Sequence, residues 1–125
     1  MLESIHSADA PKAIGPYNQA IRAGNFLFCS GQIPLDPKTG ELVTGDVAAQ
    51  TRRVMENVRA VLTAASASFA NVAKTTIYLI DMNDFAAVND VYGSYFSDSP
   101  PSRSTVAVAA LPRGSRVEIE VVAAL

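Results

Sequence analysis

SRSTVAVAALPRGSRVEIEVVAAL, residues 102–125, is the stretch that fixes the kind of layer this chain builds. From Arg116 to Ala123 it alternates with the period of a β-strand. Val117, Ile119, Val121 and Ala123 point one way, and Arg116, Glu118, Glu120 and Val122 the other. Such a strand belongs to a two-layer structure, because its apolar row has to be covered by something. The charged row then lies on the open face of the sheet, solvated or packed against another subunit. The preceding run STVAVAAL and the turn residues PRGS predict that the chain closes on an antiparallel hairpin. Arg103 stands alone at the head of that run.

Working back from this end, the cover for the apolar row is found in two helices. Val54, Val58, Val61, Leu62 and Ala65 fall on one helical stripe, with Asp46 placed as N-cap. FAAVNDVYGSYF (85–96) predicts a second helix opened by Asp84, with Phe85, Val88, Val91, Tyr92 and Tyr95 on its packing side. Between them, AKTTIYLIDM (73–82) is rich in β-branched and aromatic residues and reads as a strand nearly buried on both faces. AIRAGNFLFCSG (20–31) reads as two strands meeting at Gly24-Asn25, and the residues before it as an irregular opening. The expected order is ββαβαββ: an α/β (α+β) two-layer sandwich of a mixed sheet with two helices on one face, in a single domain spanning 1–125.

Composition narrows the function classes. Of 125 residues, 49% are hydrophobic and 18% charged, which leaves apolar surface over and suggests subunit contacts. A net charge of −2 with scattered Lys and Arg argues against a nucleic-acid footprint. The longest uncharged stretch, residues 60–73, is too short and too polar to span a bilayer, and the N-terminus has no signal-peptide pattern. One cysteine, Cys29, permits no internal disulfide and fits a reducing compartment, so a cytoplasmic protein is expected. With a single histidine, His6, no metal site is expected either.

Three segments together, AIGPYNQAI (13–21), FCSGQIPLDPKTGELV (28–43) and SRSTVAVAALPRGSRVEIEVVA (102–123), resemble the reactive intermediate deaminase family, also called the Rid or YjgF family. The likeness extends over nearly the whole chain. It implies a chorismate-mutase-like fold assembled as a homotrimer, with ligand clefts between neighbouring subunits. It also implies hydrolysis of reactive 2-imino acids, such as 2-iminopropanoate and 2-iminobutanoate, to 2-keto acids and ammonia, with no metal or organic cofactor. By the same resemblance Arg103 binds the substrate carboxylate, a task that suits the rigid two-pronged guanidinium. Glu118 positions the hydrolytic water and Tyr17 lies near the ligand. Ser30 and Gly31 line the cleft, and Asn89 stands beside it. Thr105 occupies a position where archetypal members commonly carry cysteine, and the 97–102 loop is shorter than usual. Glu120 is read as a bystander and Cys29 as a core thiol. Two other readings stay open: a non-enzymatic ligand-binding or chaperone-like trimer, and a ribonuclease or translation inhibitor.

Overall fold

The computed structural model describes residues 1–125. Six strands form one mixed sheet: β1 (Leu2–Ile5), β2 (Ala20–Ala23), β3 (Phe26–Gln32), β4 (Val72–Leu79), β5 (Ser102–Ala107) and β6 (Val117–Ala124). Two helices, α1 (Val47–Ala64) and α2 (Phe85–Gly93), are interleaved with them. The two-layer α+β arrangement is as expected, with one strand more. β1 pairs antiparallel with β2, from Leu2 opposite Ala23 to Ile5 opposite Ala20. Its sequence carries little alternation, and only Ile5 is buried; the free edge of β2 supplies the backbone partners that make it a strand.

Asp46 caps α1 as predicted, its Oδ1 accepting from the Ala49 amide at 2.9 Å. Val54, Val58, Val61 and Leu62 are buried beneath it and Ala65 is half-buried. The helix ends in a left-handed residue, Ser66 at φ 57°. The Ala67 amide returns to the Leu62 carbonyl and the Ser66 amide to that of Thr63, each at 2.9 Å, which is a Schellman closure. A side chain at that φ costs about 1 kcal/mol. Ser66→Gly is therefore expected to raise the thermal midpoint by a few degrees, measured by differential scanning calorimetry.

The strand order, β1-β2-β3-β6-β4-β5, corrects the expected terminal hairpin. β5 pairs parallel with β4, and β6 inserts between β3 and β4, antiparallel to both. Since β4 leads through α2 to β5, these form a βαβ unit, the connection a parallel pair requires. The chain must then pass the end of β4 to reach β6, roughly 10 Å across two strand spacings. A tight turn cannot span that distance. Residues 108–116 do, with a 3₁₀ turn at Pro112–Gly114 inside them. β5 is left as an exposed edge.

Two further expectations change. β4 is buried on its helix-facing row (Thr75, Ile77, Leu79), whereas Thr76 and Tyr78 are half-buried and Lys74 is exposed on the open face. α2 ends at Gly93, and of its expected packing residues only Val88 and Tyr92 are buried, Phe85 remaining 37% exposed. Asp84 makes no side-chain cap bond. Its Oδ1 instead accepts from Arg116 at 2.8 Å, which turns Arg116 away from the open face where alternation had placed it. In β6, by contrast, Val117, Ile119, Val121 and Ala123 are all buried against the helices, and Glu118 and Glu120 are half-buried on the open face.

Candidate active site

The candidate residues assemble into two clusters on opposite faces of the sheet. On the open face, β3 is irregular between Cys29 and Gln32, where its pairing with β6 shifts register. Beside this irregularity the Glu118 side chain lies over Gly31. A Cβ at position 31 would stand 2.9 Å from Glu118 Cδ and closer still to Oε2. The glycine therefore makes the room in which the carboxylate sits. Gly31→Ala is expected to displace the Glu118 carboxylate, seen as a changed Glu118 carboxyl signal by carbon NMR, while the circular dichroism spectrum is unchanged.

Tyr17 and Ser30 complete this cluster. Ser30 Oγ donates to the Asn18 carbonyl at 2.7 Å, and the Ser30 amide donates to the Gln19 carbonyl at 2.9 Å. Tyr17 is 46% exposed, and its hydroxyl accepts from the Ile14 amide at 3.2 Å. Gln19 organises the loop that carries Tyr17. It is buried; Oε1 accepts from the Ser7 amide at 2.6 Å, and Nε2 donates to the carbonyls of Ser7 and Pro11 at 3.1 and 2.8 Å. Sequence reasoning gave Gln19 no role, although it sits inside the GPYNQA motif. Ile14, Tyr17, Ser30, Gly31, Pro112 and Glu118 line an open cavity of about 440 Å³, together with Glu120. Burial, and after it the Glu120 charge, pushes the Glu118 carboxyl above the ordinary carboxylate range.

The second cluster lies on the helix side, at the β5 edge. Arg103 is opposite Thr75 on β4, and Thr75 shares a 2.7 Å hydrogen bond with the Tyr92 hydroxyl of α2. The Arg103 guanidinium lies over the Tyr92 and Phe85 rings, 5.1 and 5.5 Å from their centroids, and Nη1 donates to Asn89 Oδ1 at 2.8 Å. Two aromatic platforms and one amide thus orient the fork, and no carboxylate of the chain pairs with it. The partly exposed Phe85, which sequence had assigned to packing, is one of these platforms. Thr105, two residues on, lies on the same face with its buried hydroxyl lacking a hydrogen-bond partner.

Within one chain, then, Asn89, Arg103 and Thr105 are brought together, as are Tyr17, Ser30, Gly31 and Glu118. The two groups are not brought together: Glu118 is paired with Tyr78 on the open face, three residues along β4 from Thr75. No three His, Cys, Asp or Glu side chains converge on a common point. Cys29 is buried and its thiol is pushed up to about 12 by that burial, which makes it a core residue rather than a nucleophile. No helix is long and apolar enough to cross a membrane.

Compared with known families, residues 7–125 match the family model described as Endoribonuclease L-PSP. The chain belongs to this family. A RutC family protein of Pyrococcus horikoshii is 57% identical over 98% of this chain and 98% of its own length. The 2-iminobutanoate/2-iminopropanoate deaminase of Mus musculus is 50% identical over 95% of this chain and 88% of its own. Among solved structures, E. coli TdcF with bound serine superposes with a TM-score of 0.94 at 43% identity, covering 98% of each chain. In this chain the GPYNQA and SGQ segments together with Glu118 build the open-face cluster, and RSTV with VNDV builds the edge cluster.

Proposed function

We propose that this L-PSP family chain hydrolyses 2-imino acids, such as 2-iminopropanoate and 2-iminobutanoate, to 2-keto acids and ammonia. The observation that carries this reading is the half-buried Glu118, seated against Gly31 in the wall of an open cavity with its proton affinity raised. A carboxylate in that condition is a better base than a solvated one, and general-base help of this kind gives about 10²–10⁴-fold in rate. Relatives named as 2-iminobutanoate/2-iminopropanoate deaminases, and one relative with bound serine, support a ligand bearing a carboxylate.

Arg103 is the group suited to that carboxylate. It faces the other side of the sheet from Glu118, so one substrate cannot touch both in a single chain. The reading therefore includes a second copy of the chain, in a homotrimer as the family resemblance implies, with the β5 edge of one copy meeting the open-face cavity of its neighbour. In the reaction, Arg103 holds the carboxylate and the imine carbon lies beside a water near Glu118. As the C–O bond forms, Glu118 takes a proton from the water and passes it to the imine nitrogen, giving the carbinolamine. The carbinolamine hydroxyl proton then moves by way of Glu118 to the amino nitrogen as the C=O bond forms and the C–N bond breaks, so that ammonia leaves, the keto acid remains and Glu118 is ionised again. These steps use the chain's own side chains, in a cytoplasmic protein.

The test couples an amino acid oxidase to the protein, with semicarbazide as competing trap. Faster keto-acid release and less trapped imine are expected, across several 2-amino acids. No change in partition at any substrate, with ligand binding retained, would favour a non-enzymatic binding trimer. Cleavage of RNA by the same preparation, abolished by Glu118→Gln, would favour the ribonuclease reading instead.

A further inference from the structure

Glu118 is not the only carboxylate on its face of β6. Glu120 follows two residues on, which places the two groups on one side of the strand about 7 Å apart. Both line the 440 Å³ cavity, and both line an adjoining hollow of about 310 Å³ that also includes Tyr78 and Leu111. Tyr78 is the cross-strand neighbour of Glu118 on β4, yet its hydroxyl runs diagonally to Glu120, donating to Oε1 at 2.6 Å. A phenol bonded this closely fixes the position of the carboxylate that accepts from it.

We propose that Glu120, held by Tyr78, is a positioning residue of the site: a carboxylate fixed beside Glu118 on one strand face that adds to the effect of burial on how strongly Glu118 takes the proton of the attacking water. This deepens, and rests on, the imine-hydrolase reading. An ordinary carboxylate is a weak base at neutral pH, and bringing its proton affinity nearer the working pH improves it. Two like charges on one strand face do this directly. The chemistry agrees on both partners. Burial first and the Glu120 charge second push Glu118 up, and the Glu120 bond is the largest influence holding the proton on Tyr78.

The other groups around Glu118 are Tyr78 from β4 and Tyr17 and Lys12 from the N-terminal loop. Ser30 and Gly31 of β3 carry no charge. Arg113, next to Pro112, is turned to the Gly40 carbonyl at 3.3 Å. In the proposed assembly Arg103 of a second copy adds a cation. All of these persist in Glu120→Gln, so that variant isolates the Glu120 charge.

The experiment follows the Glu118 carboxyl by carbon NMR titration of the whole protein without substrate, and in parallel the pH dependence of kcat/KM. In Glu120→Gln, both the Glu118 titration and the acid limb of activity are expected at lower pH. At a pH on that limb the variant should keep about 3- to 10-fold more of its own plateau activity than wild type does. Glu120→Asp, which keeps the charge but withdraws it from Tyr78, should place the limb between that of Glu120→Gln and that of wild type. Tyr78→Phe should give a smaller shift in the same direction, because the released carboxylate can swing into water. A Glu118 titration that does not move in Glu120→Gln overturns the proposal, as does one that moves while the acid limb stays. If the wild type itself turns over no imine, it is the hydrolase reading that falls, whatever the titration shows.

Discussion

Arg103→Ala is expected to lower kcat/KM for 2-imino acids by roughly 10²–10³-fold, most of it as a raised KM. On the proposed reading the variant loses two charge-assisted hydrogen bonds to the substrate carboxylate. Tyr92 and Phe85 hold the guanidinium as a plane, and Asn89 uses one nitrogen, so the fork is oriented before a ligand arrives. Pre-orientation lowers the entropy lost on binding. Arg103→Lys should recover only part of the loss, because an ammonium keeps the charge but neither stacks as a plane nor donates in parallel. Steady-state kinetics on paired substrates checks this. The variant's penalty should vanish for an imine that lacks the carboxylate, and an equal penalty there would assign Arg103 to folding rather than recognition.

Glu118→Gln is expected to reduce the enzyme-dependent rate above spontaneous hydrolysis by about 10²–10⁴-fold, now in kcat. The amide is nearly isosteric, so the packing against Gly31 survives. Stability should move the opposite way. The folded protein binds the Glu118 proton more tightly than the unfolded chain does, since burial raises its affinity. Folding is therefore favoured as pH falls into that raised range, and keeping the group ionised costs stability at neutral pH. Gln removes that cost. At neutral pH the variant should be inactive yet melt at or above the wild-type temperature, and a large drop in its midpoint would mean that Glu118 is structural.

Much of this architecture is legible in local sequence because local physics produces it. The Val54–Leu62 stripe, Asp46 as cap and the alternation of 117–123 each depend on residues a few positions apart, and each appears in the fold as expected. The hairpin at Gly24-Asn25 does too, with Gly24 at φ 60°. The failures are non-local. PRGS carries turn residues, but whether it joins neighbours or crosses a strand depends on β4 lying between β5 and β6. β1 exists because another strand offers an edge. Arg116 leaves the open face because Asp84, far away in sequence, needs a charge partner.

The same division holds at the site. Local sequence carries the chemical inventory: one guanidinium in RSTV, two carboxylates at a spacing that puts them on one face, and a glycine in SGQ. Tertiary structure decided which of these meet. Strand register sets Glu118 over Gly31 and sends Tyr78 to Glu120, while the parallel pairing of β5 carries Arg103 to the opposite face, onto Tyr92 and Phe85. Alternation along a strand says that two residues share a side, and nothing about what stands opposite them. That information lies in the order of the strands, which is set by burial across the whole sheet.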